Sequence, residues 1–151
     1  MRLSLGRLPR QTAIAVLATW ALVAVGCSGL FGPDEGRIGV ACLDDSPECV
    51  EQRQVVLKSM IADKERKWVR QPASPQAHAS GVRLFAFRTR KKELSCEELA
   101  HGKREADSAG KVLRGPDGRG LSPAQISRAT LFAAEVSKEL GAEMAQRRCR
   151  A

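Results

Sequence analysis

SPAQISRATLFAAEVSKELGAEM, residues 122 to 144, carries the start, the buried face and the solvent face of one long helix. Ser122 can cap, Pro123 suits the first helical position, and Gln125 completes a capping box. Ile126, Ala129, Phe132, Ala133, Val136, Leu140 and Met144 then recur at helical spacing and mark the inward face. Glu135, Glu139 and Glu143 fall elsewhere on the helix and read as a solvated face. Gly141 is the expected place for a break or bend, and Arg147 and Arg148 sit where cations meet the negative end of the helix dipole.

Working back from this helix, RGPDGRGL (114–121) combines three glycines, a proline and an aspartate, and is a turn by composition. It lacks the G-x(4)-G-K-[ST] pattern of a phosphate loop. Before it, Ser95-Cys96-Glu97-Glu98 fits the S-x-x-E capping box, and a helix is expected from Cys96 to about Leu113. Its inward candidates Leu99, Ala106, Ala109 and Leu113 are small except at the ends, which allows a neighbouring helix to approach closely. Gly102 and Gly110 each weaken it by up to about 1 kcal/mol relative to alanine, so this helix depends on packing.

GVRLFAFRTRKK (81–92) places Arg83, Arg88, Arg90, Lys91 and Lys92 among Val82, Leu84, Phe85 and Phe87 without one acid. Helix is the favoured reading, since no partner strand is evident, with strand as the alternative. The five cations are candidates for contact with an anionic surface such as lipid head groups or lipopolysaccharide, and a solvated basic face over a Phe-rich core is the plainer reading. QPASPQAHAS (71–80) reads as a loop holding a solvated His78. The first helix is expected from Ser46-Pro47-Glu48 to near Arg70, with Cys49, Val56, Leu57, Met60, Ile61 and Trp68 on one face and Trp68 as a core anchor. These segments together predict an all-α domain of three to four helices.

The chain begins differently. Thr12 to Cys27, TAIAVLATWALVAVGC, has no charged residue, follows Arg2, Arg7 and Arg10, and ends in small residues against a cysteine, the three parts of an export signal. Ala24-Val25-Gly26-Cys27 resembles the lipobox of bacterial lipoprotein precursors, departing from it at Ala24, where leucine is usual. The resemblance implies removal of residues 1–26, acylation of Cys27 with chains such as palmitate, and Cys27 as the mature N-terminus. Ser28, in a position where inner-membrane lipoproteins often carry Asp, points through the same resemblance to the periplasmic face of the outer membrane. An uncleaved anchor and a plain secretory signal are the alternatives; an anchor needs about 20 predominantly apolar residues, and this span turns to Gly, Ser and Pro in its last third. Residues 27–41 then form a Gly-rich tether, and 42–151 the helical periplasmic domain.

Loss of the signal removes three of 25 basic residues and none of 17 acids, leaving a mature charge of +5. The mature chain suffices for one domain. No nucleic-acid partner is expected; the membrane through the Cys27 lipid, another envelope protein, or an anionic envelope polymer are. Cys42, Cys49, Cys96 and Cys149 remain once Cys27 is acylated, and four thiols in an exported chain read as two disulfides, Cys42–Cys49 and Cys96–Cys149. At 1.5 Å per residue the helical arms leading to the second pair would miss by about 13 Å, so that pairing requires a bend, most plausibly at Gly141, or a lengthened turn.

C-x-x-C, H-E-x-x-H and G-x-S-x-G are absent, and neither His78 nor His101 has local support for catalysis. No metal, cofactor or enzymatic activity is expected. The expected function is that of a structural or interaction lipoprotein. The alternative is a thiol-redox or chaperone-like factor using Cys96, whose place at a helix N-terminus would lower its pKa if it were free.

Overall fold

The computed structural model describes residues 42–150. Within them are five α-helices and no strand: α1 (Pro47–Ala62), α2 (Pro75–Ser80), α3 (Val82–Arg90), α4 (Cys96–Arg114) and α5 (Pro123–Gln146), with 3-10 turns at Lys67–Arg70 and Pro116–Gly118. Val82–Arg90 of the segment 81–92 is therefore helix, and the domain is all-α.

Ser46, Ser74, Ser95 and Ser122 each cap a helix by accepting from the backbone N–H three residues on, and Pro47, Pro75 and Pro123 open the helices that follow. Ser95 with Glu98 and Ser122 with Gln125 close full capping boxes. The same Ser-Pro signal at Ser74-Pro75 makes a helix of residues read from sequence as loop. Gly81 ends α2 and opens α3 in the left-handed conformation, φ 70°, with its N–H shared between Ala77 and His78 carbonyls.

α1 stops at Ala62, eight residues before the expected Arg70. Asp63 is the cause: its carboxylate accepts from Glu65 N–H at 3.0 Å and Lys67 N–H at 2.8 Å, giving the backbone a turn in place of another helical rung. The chain reverses at Arg66, φ 51°, and swings Trp68 inward. Its indole N–H then donates to the Met60 carbonyl at 3.0 Å, satisfying an acceptor that the ended helix leaves open.

Trp68, Leu84, Phe87, Leu94, Leu99, Val136 and Leu140 are fully buried and form the centre of the core. Trp68 meets Phe87 edge-on, with ring centroids 4.8 Å apart. Phe87 lies against Gly102, where a Cβ would come within 2.5 Å of the ring. This is why a residue that weakens α4 stands in its middle. α4 and α5 pair along their length through Ala106, Ala109, Ala129 and Ala133, as their small inward residues predict.

Two disulfides join the expected pairs, Cys42–Cys49 and Cys96–Cys149, each with alpha carbons 5.4 Å apart. Gly141 is not a hinge: α5 runs through it unbroken. The difference in arm length is absorbed at both ends instead. The Pro116–Gly118 turn extends the shorter arm, and after Gln146 the chain doubles back through Arg148, φ 55°, so that Cys149 N–H donates to Met144 at 2.9 Å.

Candidate functional site

α3 carries the cations singled out in the sequence, and its neighbours decide what each of them can do. Arg83 is 1% exposed. Its guanidinium grips Glu105 of α4 through Nε at 2.9 Å and Nη2 at 2.6 Å, and donates to the Trp68 carbonyl at 2.7 Å and the Gln71 carbonyl at 2.9 Å. A fully engaged buried arginine holds α3, α4 and the Trp68 turn together and cannot meet an external anion. Arg88 lies 3.1 Å from Glu135 and 2.7 Å from Glu139, and Lys91 2.6 Å from Glu139. Arg90 pairs with Glu93 at 2.7 Å and donates to the Ile61 carbonyl.

The expectation of an open basic face on α3 is thus corrected. α5 passes beside α3 and presents Glu135 and Glu139, residues read as solvated, as counter-ions. The Glu139 carboxyl is held below its ordinary value, first by the Lys91 hydrogen bond and further by Arg88. Lys92 alone of the five is exposed and without an ion pair or hydrogen bond among the described residues.

Positive charge collects elsewhere. The doubling-back after α5 and the Cys96–Cys149 bond carry the tail to the N-terminus of α4, where Arg147 Nη1 donates to the Leu94 carbonyl at 2.5 Å. Arg148 and Arg150 are exposed beside it, and Lys92 lies four residues before Cys96. Lys92 and Arg147, 55 positions apart in sequence, are thus brought to the same end of the domain by the Cys96–Cys149 bond and the Arg147 to Leu94 contact. The sequence signal was the dense basic tail QRRCR, read there as a helix-dipole complement.

An apolar groove of about 210 Å³ opens between α1, α3 and α5, floored by Val50, Leu57, Val82, Phe85 and Phe132. The Phe85 and Phe132 rings stack with centroids 6.4 Å apart, and Phe85 is 44% exposed. In the adjoining cleft, which shares Arg53 and Phe132 with the groove, Asp45 bridges Arg53 at 3.3 Å and Arg128 at 3.1 Å. The Asp45 carboxyl is held low, chiefly by Arg128.

His78, expected in solvent, is 3% exposed, and its Nδ1 finds no hydrogen-bond partner among the described residues. Burial pushes its pKa below 6.5; Glu105 opposes this and Arg83 adds to it. Cys96, on which a redox factor would depend, is bonded to Cys149. Among the described residues, the group whose ligand atoms lie close enough to hold a metal is Cys42, Asp44 and Cys49, and its two sulfurs are already joined to each other. No described helix is long and apolar enough to cross a membrane. Cys27 lies outside the described residues. Compared with protein-family models, curated proteins and solved structures, the chain finds no significant match.

Proposed function

We propose that the chain is a non-enzymatic lipoprotein of a bacterial envelope, held by acyl chains on Cys27 at the periplasmic face of the outer membrane, and that its helical domain binds another envelope component. The carrying observation is the pair of disulfides, Cys42–Cys49 and Cys96–Cys149, in a small domain that follows a lipobox-like Ala24-Val25-Gly26-Cys27. Disulfides persist in oxidising compartments and are rare in the cytosol, so they support the export that the N-terminal segment suggests. Two acyl chains supply stable anchoring where one gives only marginal binding.

The described ionisable groups favour binding over catalysis. Arg83 and Glu105 satisfy each other, and the remaining ion pairs lie at helix surfaces where they orient elements. Mass spectrometry of the protein from a membrane fraction tests the reading. The expected mature chain begins at acylated Cys27, and Cys27→Ser shifts the protein to an unprocessed or soluble form. A wild-type chain without lipid, together with a Cys27→Ser variant that stays membrane-bound at mature size, refutes it.

A further inference from the structure

We infer that the cationic end built from Lys92, Arg147, Arg148 and Arg150 binds an anionic envelope polymer lying beyond the anchoring membrane. The inference deepens the lipoprotein reading and rests on it for the position of the anchor.

Charge is the first argument. Lys92, Arg148 and Arg150 are exposed and engage no acid among the described residues, and Arg147 meets only the Leu94 carbonyl, which leaves its charge uncompensated. The acids around them are largely engaged: Glu93 with Arg90 at 2.7 Å and Glu98 with Arg66 at 2.9 Å. Glu97 and Glu143, next to Cys96 and four residues before Arg147 in sequence, are the acids left over, so four cations face two carboxylates among the described residues. Three of its four cations are arginines, whose planar donors match phosphate and carboxylate oxygens in pairs.

Preorganisation is the second. A terminal tail would ordinarily fray. Here the Cys96–Cys149 bond, the Cys149 to Met144 hydrogen bond and the Arg147 to Leu94 contact hold three arginines next to the α3–α4 connection. Ordering cost is met in the free protein, which favours binding.

The cations stand at the opposite end of the domain from the point where the described chain enters. The described chain enters at Cys42, beside the N-terminus of α5: Gln125 Nε2 donates to the Leu43 carbonyl at 3.3 Å, and Asp45 lies 3.1 Å from Arg128. The cationic end lies past the other terminus of the same 24-residue helix, about 36 Å away at 1.5 Å per residue. A polymer bound there leaves the entry side clear for whatever the preceding chain is attached to, so the two engagements do not compete for one surface.

The test uses the full lipidated protein with long-chain polyphosphate and polygalacturonate as phosphate and carboxylate probes, titrated between 50 and 200 mM salt in detergent. Binding is expected to weaken with salt, with a log–log slope of roughly −2 to −3 if each free cation displaces about one counterion. The triple variant Lys92→Gln, Arg148→Gln, Arg150→Gln should bind at least ~10-fold more weakly and lose most of the slope, with unchanged circular dichroism, because its side chains lie outside the core. Arg88→Gln with Lys91→Gln should stay within about twofold of wild type, since those cations are already paired. Cys96→Ala with Cys149→Ala should weaken binding without removing a charge.

Reconstitution in phosphatidylcholine or phosphatidylglycerol liposomes addresses the other occupant. Equal polymer capture by both supports the placement, whereas loss of capture on phosphatidylglycerol makes lipid head groups the occupant and overturns it. Salt-insensitive or absent polymer binding, or an equal loss in the Arg88/Lys91 variant, also overturns it. Failure to insert in either liposome counts against lipidation, and the detergent titration still reads the cationic end separately.

Discussion

Glu105→Ala removes the one carboxylate that faces the buried Arg83 guanidinium and tests whether that ion pair fastens the domain. Wild-type Arg83 makes two bonds to Glu105, at 2.9 and 2.6 Å, and one each to the Trp68 and Gln71 carbonyls. The variant keeps the two carbonyls and leaves the cation 1% exposed with no counter-charge. Breaking such a pair from one side costs about 3–5 kcal/mol, because the remaining ion is stranded in a poorly solvating interior. For a domain of this size that corresponds to a fall in Tm of roughly 15–25 °C. Urea unfolding followed by circular dichroism at pH 7, with disulfides intact, measures the loss. The double replacement Arg83→Met, Glu105→Leu supplies the control: both charges vanish, packing is kept, and stability should return to within about 2 kcal/mol of wild type. A loss under about 1 kcal/mol in Glu105→Ala at an unchanged m-value would refute the reasoning, and so would a double variant worse than the single.

Three further outcomes are expected. His78 is buried with its pKa below 6.5, so the unfolded chain takes up the proton first; its stabilising contribution is complete above pH 6.5 and falls as pH drops from there towards the folded value. His78→Phe should flatten that part of the stability–pH curve, and an unchanged slope would count against the assignment. Gly102→Ala should destabilise by about 1–3 kcal/mol, since displacing the Phe87 ring outweighs the helix propensity gained, and a more stable variant in the same urea assay would show that the ring moves freely. Removing Cys96–Cys149 should cost roughly 4 kcal/mol and Cys42–Cys49 roughly 2.5, rising with the logarithm of the loop each closes, while non-reducing peptide mapping that yields Cys49–Cys96 peptides would contradict the connectivity.

Local signals in the sequence carried the architecture further than they carried the site. Ser-Pro and S-x-x-E caps act within one turn, so the starts at Ser46, Ser95 and Ser122 could be read directly. Ser74-Pro75 bears the same signal, but stands in a stretch whose two prolines among small polar residues read as loop. The early end of α1 was harder, because Asp63 competes for backbone donors up to four residues ahead within an otherwise helix-compatible DKERK. The α3 cations illustrate what sequence order withholds. The partners of Arg83, Arg88 and Lys91, namely Glu105, Glu135 and Glu139, lie 22 to 51 residues away, and only the approach of α4 and α5 shows which charges are spent. The cationic end likewise forms where the tail returns to Cys96 and Leu94.

The two disulfides also determine how the domain would carry a mechanical load. A pull applied between the segment preceding Cys42 and the tail beyond Cys149 bypasses the backbone from Cys42 to Cys49, and again from Cys96 to Cys149, because each bond short-circuits the chain it encloses. α4, the following turn and α5 therefore bear no stretching force along their backbone. Tension runs only through residues 50–95, across most of α1, the Trp68 turn, α2 and α3. Complete extension of that section would lengthen it to about 150–165 Å at 3.3–3.6 Å per residue and then stop, with the α4–α5 hairpin still closed at its sulfur link.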